Sequence, residues 1–333
     1  MLKDCQKLIL APLAGYTDYP FRLLARENGA DEVVTELVSA NAIVRNNKKT
    51  LQIMRLYENE RPASIQIFGS DPVVMGEAAV IAEQYSPLFI DINMGCPVRK
   101  VRSNGAGSAL LDRPDIAGKI VKSVVDSVKK TPVSVKIRTG KSSENKSGLV
   151  VALLAEEFGA TRITVHARTV LDGFNGPVDY DFVADLKKKV KVEVIGNGGI
   201  TSLEQARTWL ETGCDGLMIG RGAVGRPSIF HAIRAGMETF PPEKVETVIR
   251  HIDLVEQHLG QKGMGPMRAH LVYYSKGFGN AKSFRREVLA ARSFAEWRTV
   301  VTEYMEVNAE NYAAGALEGD FPSEMDRMEV ANG

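Results

Sequence analysis

Apolar runs of strand length recur along this chain, each followed by a stretch with helical periodicity. Strands are expected near residues 8–11, 33–36, 63–67, 88–92, 133–137, 161–165, 192–196 and 215–219. Most of these runs are almost continuously apolar, as parallel strands covered on both faces must be. Helices are expected over 20–27, 72–85, 114–129, 149–158, 180–189 and 203–211. Capping residues open several of them, such as Asp71 before Pro72 and Thr201-Ser202 before Leu203. Eight β/α units predict a (β/α)8 TIM barrel. A doubly wound sheet is the alternative, but the first strand lacks a GxGxxG turn.

At Phe240-Pro241-Pro242 the pattern changes. The C-terminal quarter of the chain is poor in strands, with helical stretches expected at 245–259, 266–274, 282–287 and 294–307. The expected organisation is a barrel over 1–240, a small all-helical domain over 243–315 and a disordered acidic tail over 316–333.

Composition adds exclusions. The 333 residues are 44% apolar and 25% charged, ordinary for a globular protein. No apolar run is long enough to cross a bilayer, and MLKDCQKLIL has no signal-peptide core, so a cytoplasmic protein is expected. Cys5, Cys96 and Cys214 form no CxxC pair, so neither a disulfide framework nor a metal site is expected. The net charge of +1 conceals an uneven distribution. Residues 262–298 carry eight Lys/Arg against two Glu, whereas from Glu303 onward eight acidic residues face one Arg. The basic stretch is a candidate phosphate-binding face, although a solvated helix would have the same charge.

In a barrel the C-terminal ends of the strands line the active site. Two glycine-rich loops, Asn197-Gly198-Gly199 and Gly220-Arg221-Gly222, follow strands seven and eight, where backbone amides can cradle a phosphate. Lys136 ends strand five and can stabilise negative charge on a reduced flavin, while Gln66 suits the pyrimidine edge of its ring. Pro12, Leu13 and Ala14 would supply backbone contacts, so the ring falls on strands one, three and five. His166 would touch the flavin, and Arg168 the substrate or its phosphates. Cys96 lies on the turn Asn-Met-Gly-Cys-Pro with Arg99, Lys100 and Arg102 close behind. A protonated thiol there can act as a general acid, passing a proton to one carbon of a C=C bond while a flavin hydride reaches the other.

The stretches APLAGYTDYPFR, SIQIFGSDP, DINMGCPVRKV, GAGSALL, VKIRTG, VHART, FNGPVDYD, VIGNGGI and GLMIGRGAVGRP together resemble the tRNA-dihydrouridine synthase family, most closely its bacterial B branch. The resemblance spans the barrel and weakens in the helical region. It implies an FMN enzyme, reduced by NADPH, that saturates the C5–C6 bond of a D-loop uridine in tRNA. Cys96 is then the acid that protonates C5, with hydride passing from flavin N5 to C6. Pro12, Leu13, Ala14, Gln66, Lys136, His166, Asn197, Gly198, Gly199, Gly220 and Arg221 would hold FMN. Asn93 and Arg168 would read the flipped uracil. Arg268, Lys276, Lys282, Arg285 and Arg286 would grip tRNA through shape and phosphates. The family commonly acts as a monomer.

Two departures stand out. Arg268-Ala269-His270 replaces a common Arg-Lys-His run, and Ala167 replaces a common Gly. The rival enzyme is a small-molecule flavin oxidoreductase of the dihydroorotate dehydrogenase type, which needs no basic helical appendage. A phosphate-binding isomerase or aldolase barrel, and an RNA-binding protein with a decayed flavin site, are the more distant alternatives.

Overall fold

A computed structural model of the chain describes residues 6–240 and 243–313. Its strands are β1 (Lys7–Leu10), β2 (Glu32–Val34), β3 (Val38–Ser39), β4 (Ala63–Phe68), β5 (Ile90–Met94), β6 (Val133–Arg138), β7 (Arg162–His166), β8 (Glu193–Asn197) and β9 (Gly216–Ile219). All pair in parallel. The order runs β2-β1-β9-β8-β7-β6-β5-β4, and a β2–β4 pairing closes eight of them into a TIM barrel. The remaining strand, β3, only extends the edge beside the end of β4.

The eight expected strands all form, each within about two residues of its predicted bounds. Around them lie α1 (Tyr19–Glu27), α2 (Ala40–Val44), α3 (Lys48–Ile53), α4 (Pro72–Glu83), α5 (Arg99–Arg102), α6 (Pro114–Ser127), α7 (Gly148–Glu157), α8 (Tyr180–Lys189), α9 (Leu203–Glu211) and α10 (Ile229–Arg234). The caps read from sequence are in place. Asp71 accepts from the amides of Val73 and Val74, and Ser202 from that of Gln205. The unit between β2 and β4 differs from expectation. It holds β3 and two helices of five and six residues, α2 and α3, too short to show a helical period; α3 buries none of its residues.

Alternation along each strand sorts side chains to two sides. Leu8, Leu10, Ile65, Ile67, Ile90 and Ile92 pack outward in one large core with the surrounding helices. Ile9, Ala11, Val34, Ile195 and Met218 face inward as a separate apolar cluster. The floor of the barrel is ionic. Arg162 donates to both oxygens of Glu32 and to Glu193, and Lys7 pairs with the same two acids.

Four more helices follow the barrel: α11 (Val245–Leu259), α12 (Met264–Tyr274), α13 (Ala281–Ala290) and α14 (Phe294–Ala313). They enclose a second core around Val248, Ile252, Leu271, Phe284, Val288 and Trp297. Where they meet the barrel, His270 Nε2 donates to the carbonyl of Tyr16 at 3.1 Å, and Arg250 pairs with Glu27 at 2.7 Å. The acidic tail expected over 316–333 lies outside the described residues. Among the described residues, no helix is long and apolar enough to cross a membrane.

Candidate active site

β5 delivers the cysteine. After Met94 the chain turns sharply, and Asn93 Oδ1 accepts from the amides of Gly95 (3.2 Å) and Cys96 (3.0 Å). Arg138, at the end of β6, donates from Nε to the Gly95 carbonyl at 3.0 Å. Its Nη1 reaches the carbonyls of Thr169 (2.8 Å) and Gly173 (2.6 Å). The Ser108 amide donates to the Cys96 carbonyl at 3.0 Å. The turn is therefore held from three directions. Burial pushes the Cys96 thiol above its ordinary pKa, with Arg138 and Lys136 pulling the other way. At neutral pH the sulfur keeps its proton.

Beside it, Lys136 Nζ donates to Asn197 Oδ1 at 2.9 Å, and Asn197 Nδ2 donates to the Met218 carbonyl at 2.7 Å. Burial, reinforced by Arg138, lowers the Lys136 pKa to about 8. Arg168 Nη1 lies 3.3 Å from His166 Nε2, and a guanidinium can only donate, so His166 accepts there. Burial, together with Arg138, Lys136, Arg168 and Arg221, holds the His166 pKa well below its usual value and keeps the ring neutral. Gly198 (φ +127°) and Gly199 (φ +68°) form the loop after β8. A Cβ on Gly198 would fall 2.9 Å from His166 Cδ2, so only glycine lets this loop pack so close to the ring. Arg221 donates from Nη2 to the Phe174 carbonyl at 2.6 Å and stacks over its ring. Arg138 stacks on the same ring, whose side chain is 39% exposed at the mouth.

The sequence-predicted residues divide into groups. Cys96, Asn93, Gln66, Lys136, His166, Arg168, Asn197, Gly198, Gly199 and Arg221 belong to strands or strand ends around this mouth. Asn93 has its carbonyl oxygen committed to the Cys96 turn and one N–H committed to Gln66. One N–H remains for a ligand. Leu13 is also committed: its amide donates to Thr17 Oγ1 at 2.9 Å, and its carbonyl accepts from Tyr16 and Thr17. Ala14 is exposed, and Pro12 is half-buried. A Cβ on Gly220 would meet nothing closer than 3.5 Å, so close packing does not demand glycine there.

The basic residues of the helices separate by role. Arg268 is half-buried, donates to the Ala291 carbonyl at 3.2 Å and lies over Trp297, tying α12 to the α13–α14 corner. Lys276 sits 4.1 Å over the Tyr273 ring, and Arg285 donates to Ser275 Oγ at 2.9 Å. The Lys276 pKa is lowered by burial and by Arg285 and Arg221, so these three cations form one group across the junction. Lys282 and Arg286 are exposed on α13.

Sequence reasoning put Arg138 beside Lys136 at a strand end without a specific role, and gave none to Asp91, Ser134 or Phe174. The signal was present for Arg138, Asp91 and Ser134, because each lies two residues from a recognised position on its own strand and so shares its face. Among the described residues, no group of three or more His, Cys, Asp or Glu is placed to hold a metal ion.

The family model described as dihydrouridine synthase (Dus) matches residues 9–309. Among curated relatives, tRNA-dihydrouridine synthase B of Vibrio vulnificus is 42% identical over 291 residues, covering 84% of this chain and 89% of that protein. The protein of the same name from Salmonella typhimurium is 40% identical over 311 residues, covering 90% and 96%. Among solved structures, morphinone reductase aligns with a TM-score of 0.50 at 11% identity, covering 72% of this chain and 88% of its own. A variant of that enzyme in complex with tetrahydroNAD aligns at 0.53 and 10%, covering 71% and 88%. At such identities these structures match in fold alone.

Proposed function

The chain belongs to the dihydrouridine synthase family, and from that premise we infer that it is a tRNA-dihydrouridine synthase, an oxidoreductase that reduces uridine in tRNA. At residue level, the observation that carries the reading is the protonated, triply braced Cys96 beside a half-ring of cations and amides.

The mouth fits FMN. Gly198 and Gly199 bring the loop after β8 close to Arg168, which Arg221 neighbours, a cationic loop that suits a phosphate. Lys136 and Gln66 suit the polar edge of the ring, Pro12, Leu13, Ala14, Asn197 and Gly220 border it, and neutral His166 adds a contact. FMN held there, with NADPH as its reductant, would supply hydride chemistry toward uracil C6.

The chain's own groups do the rest. Cys96 Sγ holds a proton through the neutral range and gives it to C5. The thiolate left behind is stabilised by the same Lys136 and Arg138 that pull the thiol pKa down. The free N–H of Asn93 and the guanidinium of Arg168 orient the uracil. Residues 243–315 act as a helical tRNA-binding domain on the catalytic barrel of 1–240. Lys276, Lys282, Arg285 and Arg286 contact phosphates, and Arg268 braces the helices that carry them. The enzyme works as a cytoplasmic monomer.

The test uses purified protein, NADPH and tRNA lacking dihydrouridine, with the digested nucleosides weighed. A gain of two hydrogens on a D-loop uridine supports the reading. A yellow, NADPH-reducible protein that leaves the tRNA unchanged overturns it.

A further inference from the structure

Below Cys96, three neighbouring strands carry a row of buried polar side chains, of which the proposed function uses Gln66 alone and leaves Asp91 and Ser134 without a role. Gln66 on β4, Asp91 on β5 and Ser134 on β6 are direct register partners. None is more than 3% exposed. Asp91 accepts from Gln66 Nε2 at 2.7 Å on one oxygen and from Ser134 Oγ at 2.6 Å on the other. Gln66 Oε1 accepts from Asn93 Nδ2 at 2.7 Å. Asn93 Oδ1 accepts from the amides of Gly95 and Cys96.

The sense of this chain is dictated from its buried end. A primary amide can turn over, exchanging donor for acceptor wherever its neighbours tolerate both. Burial raises the Asp91 pKa, but the two donors on its oxygens and the charges of Lys136 and Arg162 oppose the rise and favour the carboxylate, which can only accept. Asp91 therefore obliges Gln66 to present Nε2, which leaves Oε1 toward Asn93. Asn93 must then present Nδ2, and its Oδ1 is left for the turn. With both amides reversed, the Asn93 NH2 group would face the Gly95 and Cys96 N–H groups, donor against donor, and the turn would open.

We propose that Asp91 is a positioning residue: it sets the polarity of the Gln66 and Asn93 amides and, through them, the turn that holds the Cys96 thiol. This rests on the reading of Cys96 as the proton donor. Ser134 steadies the arrangement by occupying the second carboxylate oxygen. Arg138 clamps the same turn through the Gly95 carbonyl but has no say in which way the amides face.

The test compares Asp91→Asn, which keeps the shape but can offer Gln66 either end, with Ser134→Ala, which leaves Gln66 its carboxylate. Both are studied as flavin-loaded protein. The first readout is the rate at which iodoacetamide alkylates Cys96, followed on the Cys96 peptide by mass spectrometry. The second is single-turnover formation of dihydrouridine. Asp91→Asn is expected to slow turnover about tenfold, the worth of one charge-assisted hydrogen bond, and to change the alkylation rate several-fold. Ser134→Ala should shift both readouts in the same direction by a smaller factor. A merely structural Asp91 would lower the melting temperature while leaving both rates of the folded protein unchanged, and that result overturns the proposal. Cys96→Ala keeps the two ideas apart. If it retains full turnover, the reading of Cys96 fails. If it loses turnover while Asp91→Asn keeps wild-type rates, the assignment of Asp91 alone fails.

Discussion

The two sides of the barrel interior are made of opposite materials. From β1, β2, β8 and β9 come Ile9, Ala11, Val34, Ile195 and Met218, an apolar wall with almost no exposed surface. From β4, β5 and β6 come Gln66, Asp91, Asn93, Ser134, Lys136 and Arg138, each joined to another polar group. The apolar wall contributes stability, at about 1.5–3 kcal/mol for each large side chain taken from water. The polar wall contributes little or opposes folding, since each buried charge must be desolvated and matched. What it provides is orientation, with each donor and acceptor fixed by its neighbour. Substitutions on the two sides should therefore divide cleanly between activity and stability.

The largest expected effect is on activity alone. Cys96→Ala should cut dihydrouridine formation by roughly 100-fold or more while keeping the flavin, read by nucleoside mass spectrometry and absorbance. Full activity in that variant would remove the reason for the polar wall. Next comes the outer face: Lys282→Glu with Arg285→Glu should weaken tRNA binding about tenfold and flatten its salt dependence, read by filter binding at several salt concentrations. Unchanged affinity would move the RNA face elsewhere.

Lys136→Met inverts the usual sign of a core substitution. The Lys136 pKa of about 8 in the folded protein lies below its ordinary value of 10.5. The folded state thus holds the ammonium at a cost that is present in full below pH 8, fades between 8 and 10.5 and is absent above. Screening at the open mouth reduces that cost to about 1–2 kcal/mol. The variant should therefore melt higher than wild type at pH 7, lose this advantage above pH 10.5, and bind flavin poorly. A variant destabilised at pH 7 would show that the Asn197 hydrogen bond outweighs desolvation. The smallest effect belongs to the apolar wall. Ile9→Val should cost about 1 kcal/mol of stability and leave turnover within experimental error, as measured by urea denaturation and the nucleoside assay.

The sequence disclosed the barrel because parallel strands buried on both faces spell themselves out in Ile, Val and Leu, as in Leu8-Ile9-Leu10 or Leu217-Met218-Ile219. It did not disclose α3, whose Lys48-Lys49-Thr50 opening buries nothing. At the site, Cys96, Lys136 and Gln66 were legible because unusual residue types sit at strand ends. Asp91 shares a face with Asn93 but went unread, since a lone acid inside IDINM reads as alternation until Gln66 and Ser134 are seen on either side of it. Arg268 was legible as a cation but not as a brace, because its target is a backbone carbonyl 23 residues away.

The bond from His270 to the Tyr16 carbonyl joins α12, the turn with Lys276 and the helix with Arg285 to the loop that opens the barrel. Burial holds the His270 pKa near 4, so the ring remains neutral throughout the physiological range. In the function proposed above, this bond ties the tRNA grip to the barrel that holds the thiol. Neighbouring uridines in a loop are chemically identical, so the pocket cannot tell them apart by their edges. Choice among them becomes a matter of measured length along the RNA, with the junction as the ruler and Cys96 as its zero mark.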